Sequence, residues 1–143
     1  LQAELFNESH RWVKSAWKRI AAEGTDKRAA GRYYEQVRDF LKAAAAVWGD
    51  TWGHAGFMVT KPVTLKAMLR VCADLAAADG EPGEGRVERW RATLAPWAEQ
   101  AREVRNEGFY ERFPAKGQVE RVARIHRDLG RAAGITPRAR AKD

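Results

Sequence analysis

Apolar residues recur every three or four positions along most of this chain, the spacing that lines one side of an α-helix. From Ala3 to about Glu23 the stripe is Leu5, Phe6, Trp12, Val13, Ala16, Trp17 and Ile20, and Gly24 ends it. Thr25 or Asp26 caps a second predicted helix, with Tyr33, Tyr34, Val37, Phe40, Leu41, Ala44, Val47 and Trp48 on its inner face. The short connection makes these two an antiparallel hairpin. A third helix is predicted over Lys61–Ala78, with Val63, Leu65, Met68, Leu69, Cys72, Leu75 and Ala76 apolar. That stripe is broad enough to make it the central helix. A fourth starts near Arg86 and carries Val87, Trp90, Leu94, Trp97, Ala98 and Ala101, with Pro96 kinking or dividing it because its ring clashes with the carbonyl four residues back. The last, Gln118 to Ala133, turns Val119, Val122, Ala123, Ile125 and Leu129 inward and stops at Gly134.

The pattern fails most clearly at WGDTWGHAGFMVT, residues 48–60, where Gly49, Asp50, Gly53 and Gly56 break the helix. Phe57, Met58 and Val59 suit a short extended segment or a small hairpin near 52–59, and Thr60 stands where an N-cap belongs, ahead of Pro62 in the first turn. DGEPGEG (79–85) reads as a polar surface loop and NEGFYERFPAKG (106–117) as a connection with three aromatics. The tail ITPRARAKD lacks the apolar groups to fold alone. The expectation is an all-α bundle of five to six helices, one domain over 1–134 with a basic tail over 135–143.

Composition agrees with a packed domain: of 143 residues, 45% are hydrophobic and 31% charged, with six Trp. A chain starting at Leu1 reads as a piece of something longer. No apolar run reaches the roughly 18 residues that span a bilayer, so no membrane role is expected. A single cysteine, Cys72, excludes an internal disulfide and a Cys-based zinc cage; on an apolar face it reads as a buried thiol, and the cytoplasm is the expected compartment. The net charge of +7, carried more by Arg than by Lys, favours polyanionic partners.

Catalytic signatures are sparse. GEPGEG (80–85) resembles a phosphate-cradling loop only in its glycines, since it follows a helix and carries two Glu. His10 and His126 lack a second His or a carboxylate at helical spacing, and neither Ser9 nor Ser15 occupies a strained elbow, so neither a metal centre, a cofactor site nor a nucleophile is expected. His54, between Trp52 and Phe57, admits two readings: a candidate recognition loop in which Trp52 and His54 meet a base or partner side chain, or a structural lid of Trp48 and Trp52 over the core. An enzyme, the least favoured reading, would join His54 to a carboxylate such as Asp50.

The last predicted helix carries the strongest signal. Arg121, Arg124, Arg127 and Arg131 step by three, three and four, which keeps them on one side. With Lys116, Arg138 and Arg140 they belong to a stretch, 116–143, holding eight basic residues against three acids. Guanidinium groups in such a row suit bidentate phosphate contacts. Glu120 and Asp128 fall near the same side and offer Arg124 or Arg131 a partner.

The segment 57–75, FMVTKPVTLKAMLRVCADL, preceded by the Trp-Gly motif of 48–53 and followed by a second helix, resembles the C-terminal helical portion of DGQHR-domain proteins. The resemblance covers about 30 residues. It implies a bacterial protein similar to the ParB-like superfamily, accompanying DNA modification such as backbone phosphorothioation, with the most direct DNA contacts upstream. The naming motif is absent, since Gly117-Gln118 continues as Val119-Glu120-Arg121, so no family site residue transfers. The expected function is a non-enzymatic module contacting nucleic acid through its last helix and tail. The rival is a protein-interaction domain presenting an aromatic patch around Trp48, Trp52 or Trp97.

Overall fold

The structure, a computed structural model, describes residues 27–137, without the side chains of 27–30, 33 and 102. Five α-helices follow in order, α1 (Lys27–Trp48), α2 (Pro62–Ala78), α3 (Arg86–Leu94), α4 (Phe109–Arg112) and α5 (Gln118–Ala132), with 3-10 segments at Gly49–Thr51 and Ala95–Val104. The expected all-α bundle is therefore observed. The stripe of 3–23, the cap at Thr25 or Asp26, and Arg138 and Arg140 lie outside the described residues.

On α1, Val37, Phe40, Ala44 and Trp48 are buried at steps of three and four, and Leu41 and Val47 pack beside them. Tyr34, expected on this face, is instead 62% exposed. It sits at the margin of the stripe, about 60° round the helix from Val37. α2 is buried on nearly every side, with Thr64, Ala67, Val71 and Asp74 enclosed as well as the predicted apolar positions, which makes it the central helix. Its N-cap is Lys61, and Thr60 is buried without capping it. Proline at the first helical position holds the preceding residue extended, here Lys61 at ψ 152, so the boundary moves one residue past the predicted cap.

Pro96 divides the fourth predicted helix. The N–H of Ala95 donates to the carbonyl of Ala92, three residues back, and the chain winds as a 3-10 helix to Val104. Tighter winding keeps Trp97 and Val104 in the core but turns Ala98, expected inward, out to solvent. On α5, Val122, Ile125 and Leu129 are buried as predicted, whereas Val119 in the first turn is 79% exposed, about a quarter-turn from the buried centre.

α1 packs chiefly on α3, and α2 on α5. Trp97 joins the two pairs: its ring meets Phe40 edge-on at 6.2 Å, stacks on Trp48 at 5.6 Å, and its indole N–H donates to the carbonyl of Leu129 at 2.9 Å. Burying two such indoles removes several hundred Å² of apolar surface from water. Trp48 and Trp97 are thus core, so neither is available to the aromatic patch expected around Trp48, Trp52 or Trp97.

The irregular stretch after α1 is held by a distant partner rather than by a hairpin of its own. Phe57 forms an isolated antiparallel bridge with Arg105, the N–H of Met58 donates to Val104 at 2.6 Å, and that of Asn106 donates to Gly56 at 3.0 Å. Asn106 Nδ2 adds a bond to the carbonyl of Ala55 at 2.7 Å. At the other end of the described chain, Ile135, assigned by the sequence to the tail, is buried in the core. No helix among the described residues is long and apolar enough to cross a membrane.

Candidate nucleic-acid interface

α5 owes its amphipathic character to the row Val122, Ile125 and Leu129 docked on α2, which leaves the opposite side in solvent. At 100° per residue, Arg124, Arg127 and Arg131 fall within about 60° of one another on that side. All three are exposed, and among the described residues none has a carboxylate within ion-pair distance. Glu120, which the sequence offered as a partner, reaches back along the chain to accept the backbone N–H of Lys116 at 2.9 Å, satisfying a donor at the helix start. Lys116 itself is exposed beside that start.

Arg121, the fourth member of the row, is engaged within the protein. Its Nε donates to the carbonyl of Phe113 at 2.9 Å, and its guanidinium lies 4.5 Å from the centre of the Tyr110 ring. The basic face is therefore three free guanidiniums with a fourth folded against an aromatic ring. Asp128 flanks the row and, with Glu103 and Arg131, surrounds a cavity of about 290 Å³ floored by Val104, Phe113 and Leu129. Two carboxylates against one guanidinium make that cavity unsuited to phosphate.

The second candidate region is local in character. His54 is exposed, its Nδ1 accepts the N–H of Gly56 at 3.0 Å, and its ring meets Phe57 edge-on at 5.4 Å. The imidazole thus closes a turn of its own loop. Trp52 is half-buried against the core, as the lid reading expects. Asp50 is exposed in the 3-10 turn before it.

Two polar pairs escaped the sequence. His126 Nε2 lies 2.5 Å from Asp74 Oδ2, joining α5 to α2, although 52 positions separate them. Asp39 on α1 accepts from Arg86 on α3 at 2.8 Å. The one available signal was an acid inside an otherwise apolar stripe, since a buried carboxylate needs a partner. Cys72 is buried as expected, and burial pushes its thiol up to about 12, which disfavours the thiolate at neutral pH. Among the described residues no group of three His, Cys, Asp or Glu could hold a metal ion. Comparison of the chain with protein-family models, curated proteins and solved structures returned no match.

Proposed function

We propose that this chain is a non-enzymatic helical module that contacts nucleic acid through the solvent face of α5. The observation that carries the reading is the row Arg124, Arg127 and Arg131, exposed on one side of the helix with no carboxylate partner among the described residues. An overall charge of +7 supports it, because a cationic protein displaces condensed counterions from a polyanion. From Arg124 to Arg131 the helix rises about 10 Å, roughly the axial rise of three base pairs of B-form DNA. Lys116 and the tail arginines Arg138 and Arg140 extend the same basic stretch in sequence. The setting, a bacterial system of DNA modification or defence, rests on the resemblance of residues 57–75 alone.

Fluorescence anisotropy with a labelled 20-base-pair duplex tests the proposal. Three phosphate contacts give a slope of log K against log salt of about −2.7. The triple variant R124A/R127A/R131A is expected to lose at least tenfold in affinity at low salt and to flatten that slope. A control of equal charge change on other exposed positions, R32A/K42A/R105A, is expected to lose far less. Equal losses in both variants, or no loss in the first, would overturn the assignment of the contact to α5.

A further inference from the structure

We propose that Tyr110, braced by Arg121, is a base-stacking platform at the head of this basic face, and that the module holds single-stranded polynucleotide in preference to duplex. The inference rests on the nucleic-acid reading of α5 and adds to it the form of the ligand.

Tyr110 is 54% exposed, although both aromatic neighbours in the same connection, Phe109 and Phe113, are buried. Phe109 gives the ring a seat, meeting it at 5.5 Å with an interplanar angle of 83°, and is itself packed on Phe113 at 5.2 Å. Arg121 lies against it at 4.5 Å and is fixed in place by its bond to the Phe113 carbonyl. A large ring already ordered in the free protein loses little rotamer freedom when something stacks on it. Arg121 also ties the platform to the cationic row, because Arg124 follows one helical turn later on α5, about 4.5 Å along the axis. An aromatic face beside a run of unpaired guanidiniums is the combination that proteins use on single strands, where bases stack on rings while cations follow the backbone. Guanidinium planes stack on bases as well, so Arg121 enlarges the platform.

Duplex DNA cannot use it. Its bases already stack on one another, and exposing one face requires unstacking or extruding the base. The same arginines still bind duplex phosphates, so duplex affinity comes from the row alone, and single-strand affinity from the row and the ring together.

Anisotropy with labelled 12-mers of oligo-dT, oligo-U and a mixed-sequence duplex, at one moderate salt concentration, separates these contributions. We expect at least one single strand to bind more tightly than the duplex, and the preferred strand identifies DNA or RNA as the ligand. Tyr110→Ala is expected to weaken the preferred strand roughly five- to 150-fold, the range of base–aromatic stacking, and to leave duplex binding unchanged. Tyr110→Phe should keep the affinity and Tyr110→Leu, of similar apolar bulk, should lose it. In an oligonucleotide carrying 2-aminopurine, stacking on Tyr110 quenches the probe and Tyr110→Ala restores its emission. Thermal melts confirm that each variant is folded, as an exposed position allows. Duplex binding as tight as the preferred strand, equal losses on strand and duplex, or loss in Tyr110→Phe would overturn the platform. If instead R124A/R127A/R131A leaves every affinity unchanged while Tyr110→Ala weakens the strands alone, the platform stands and the contact assigned to the arginine row fails.

Discussion

Arg86 and Asp39 face one another where α1 meets α3, with side chains only 4% and 9% exposed. The Nε and Nη2 of Arg86 both approach Oδ2 at 2.8 Å, Arg38 touches the other oxygen at 3.4 Å, and the guanidinium lies 5.1 Å from the centre of the Trp90 ring. Such a pair contributes modest net stability yet is costly to break, because the surviving carboxylate stays buried with only the half-exposed Arg38 at 3.4 Å beside it. Arg86→Ala should lower the unfolding free energy in urea by about 3–5 kcal/mol, whereas the double replacement D39L/R86L should cost much less. Similar losses in both would show that packing and not charge sets the effect. At this scale the sequence was legible for apolar side chains and opaque for polar ones. Val37, Phe40, Met68, Trp90 and Ile125 were assigned to the core by spacing alone and are there. Asp39, Asp74 and His126 could not be paired, because each partner lies on another helix and periodicity carries no information across elements. Arg121 differs from its three companions for the same reason: the ring it stacks on comes from α4.

The ends of elements are the next level, and the C-terminus of α5 is the clearest. Gly134 takes φ +69, its N–H donates to Arg131 at 3.1 Å, and that of Ile135 donates to Gly130 at 2.9 Å while the Ile135 side chain packs into the core. This is the Schellman closure, in which a left-handed residue lets two orphan carbonyls be satisfied. A side chain in that conformation costs roughly 1–2 kcal/mol. Gly134→Ala should therefore lower the melting temperature by several degrees, read by circular dichroism, and leave nucleic-acid affinity unchanged. No change in melting would mean that the turn tolerates a Cβ. Gly134 and Pro96 were readable as stops because each acts through its own backbone, and the stops fall where they predict. Thr60 misled by one residue, since Pro62 rather than the hydroxyl decides where α2 begins. The buried Ile135 was opaque because a single apolar residue after a glycine has no periodicity to betray it.

At the scale of the molecule, the class of fold and the central place of α2 were legible, because an apolar stripe too broad for one partner must be covered on several sides. The partner of the glycine-broken stretch was not. Its one bridging residue, Phe57, lies in the apolar run Phe57–Val59, but the partner, Arg105, lies beyond two further helices, and nothing local in the sequence points there. That long-range stitch has a consequence for how the domain breathes. Pairs such as α2 and α5 hold by wide apolar contact, whereas Met58 and Asn106 rely on a handful of backbone bonds that close a long loop. Native-state hydrogen exchange should accordingly find the amides of Met58 and Asn106 released together in one sub-global opening, at lower free energy than the amides inside α2. Asn106→Ala, which removes the bond to Ala55, should quicken both by a similar factor; if each amide instead answers to a separate event, the two segments move independently.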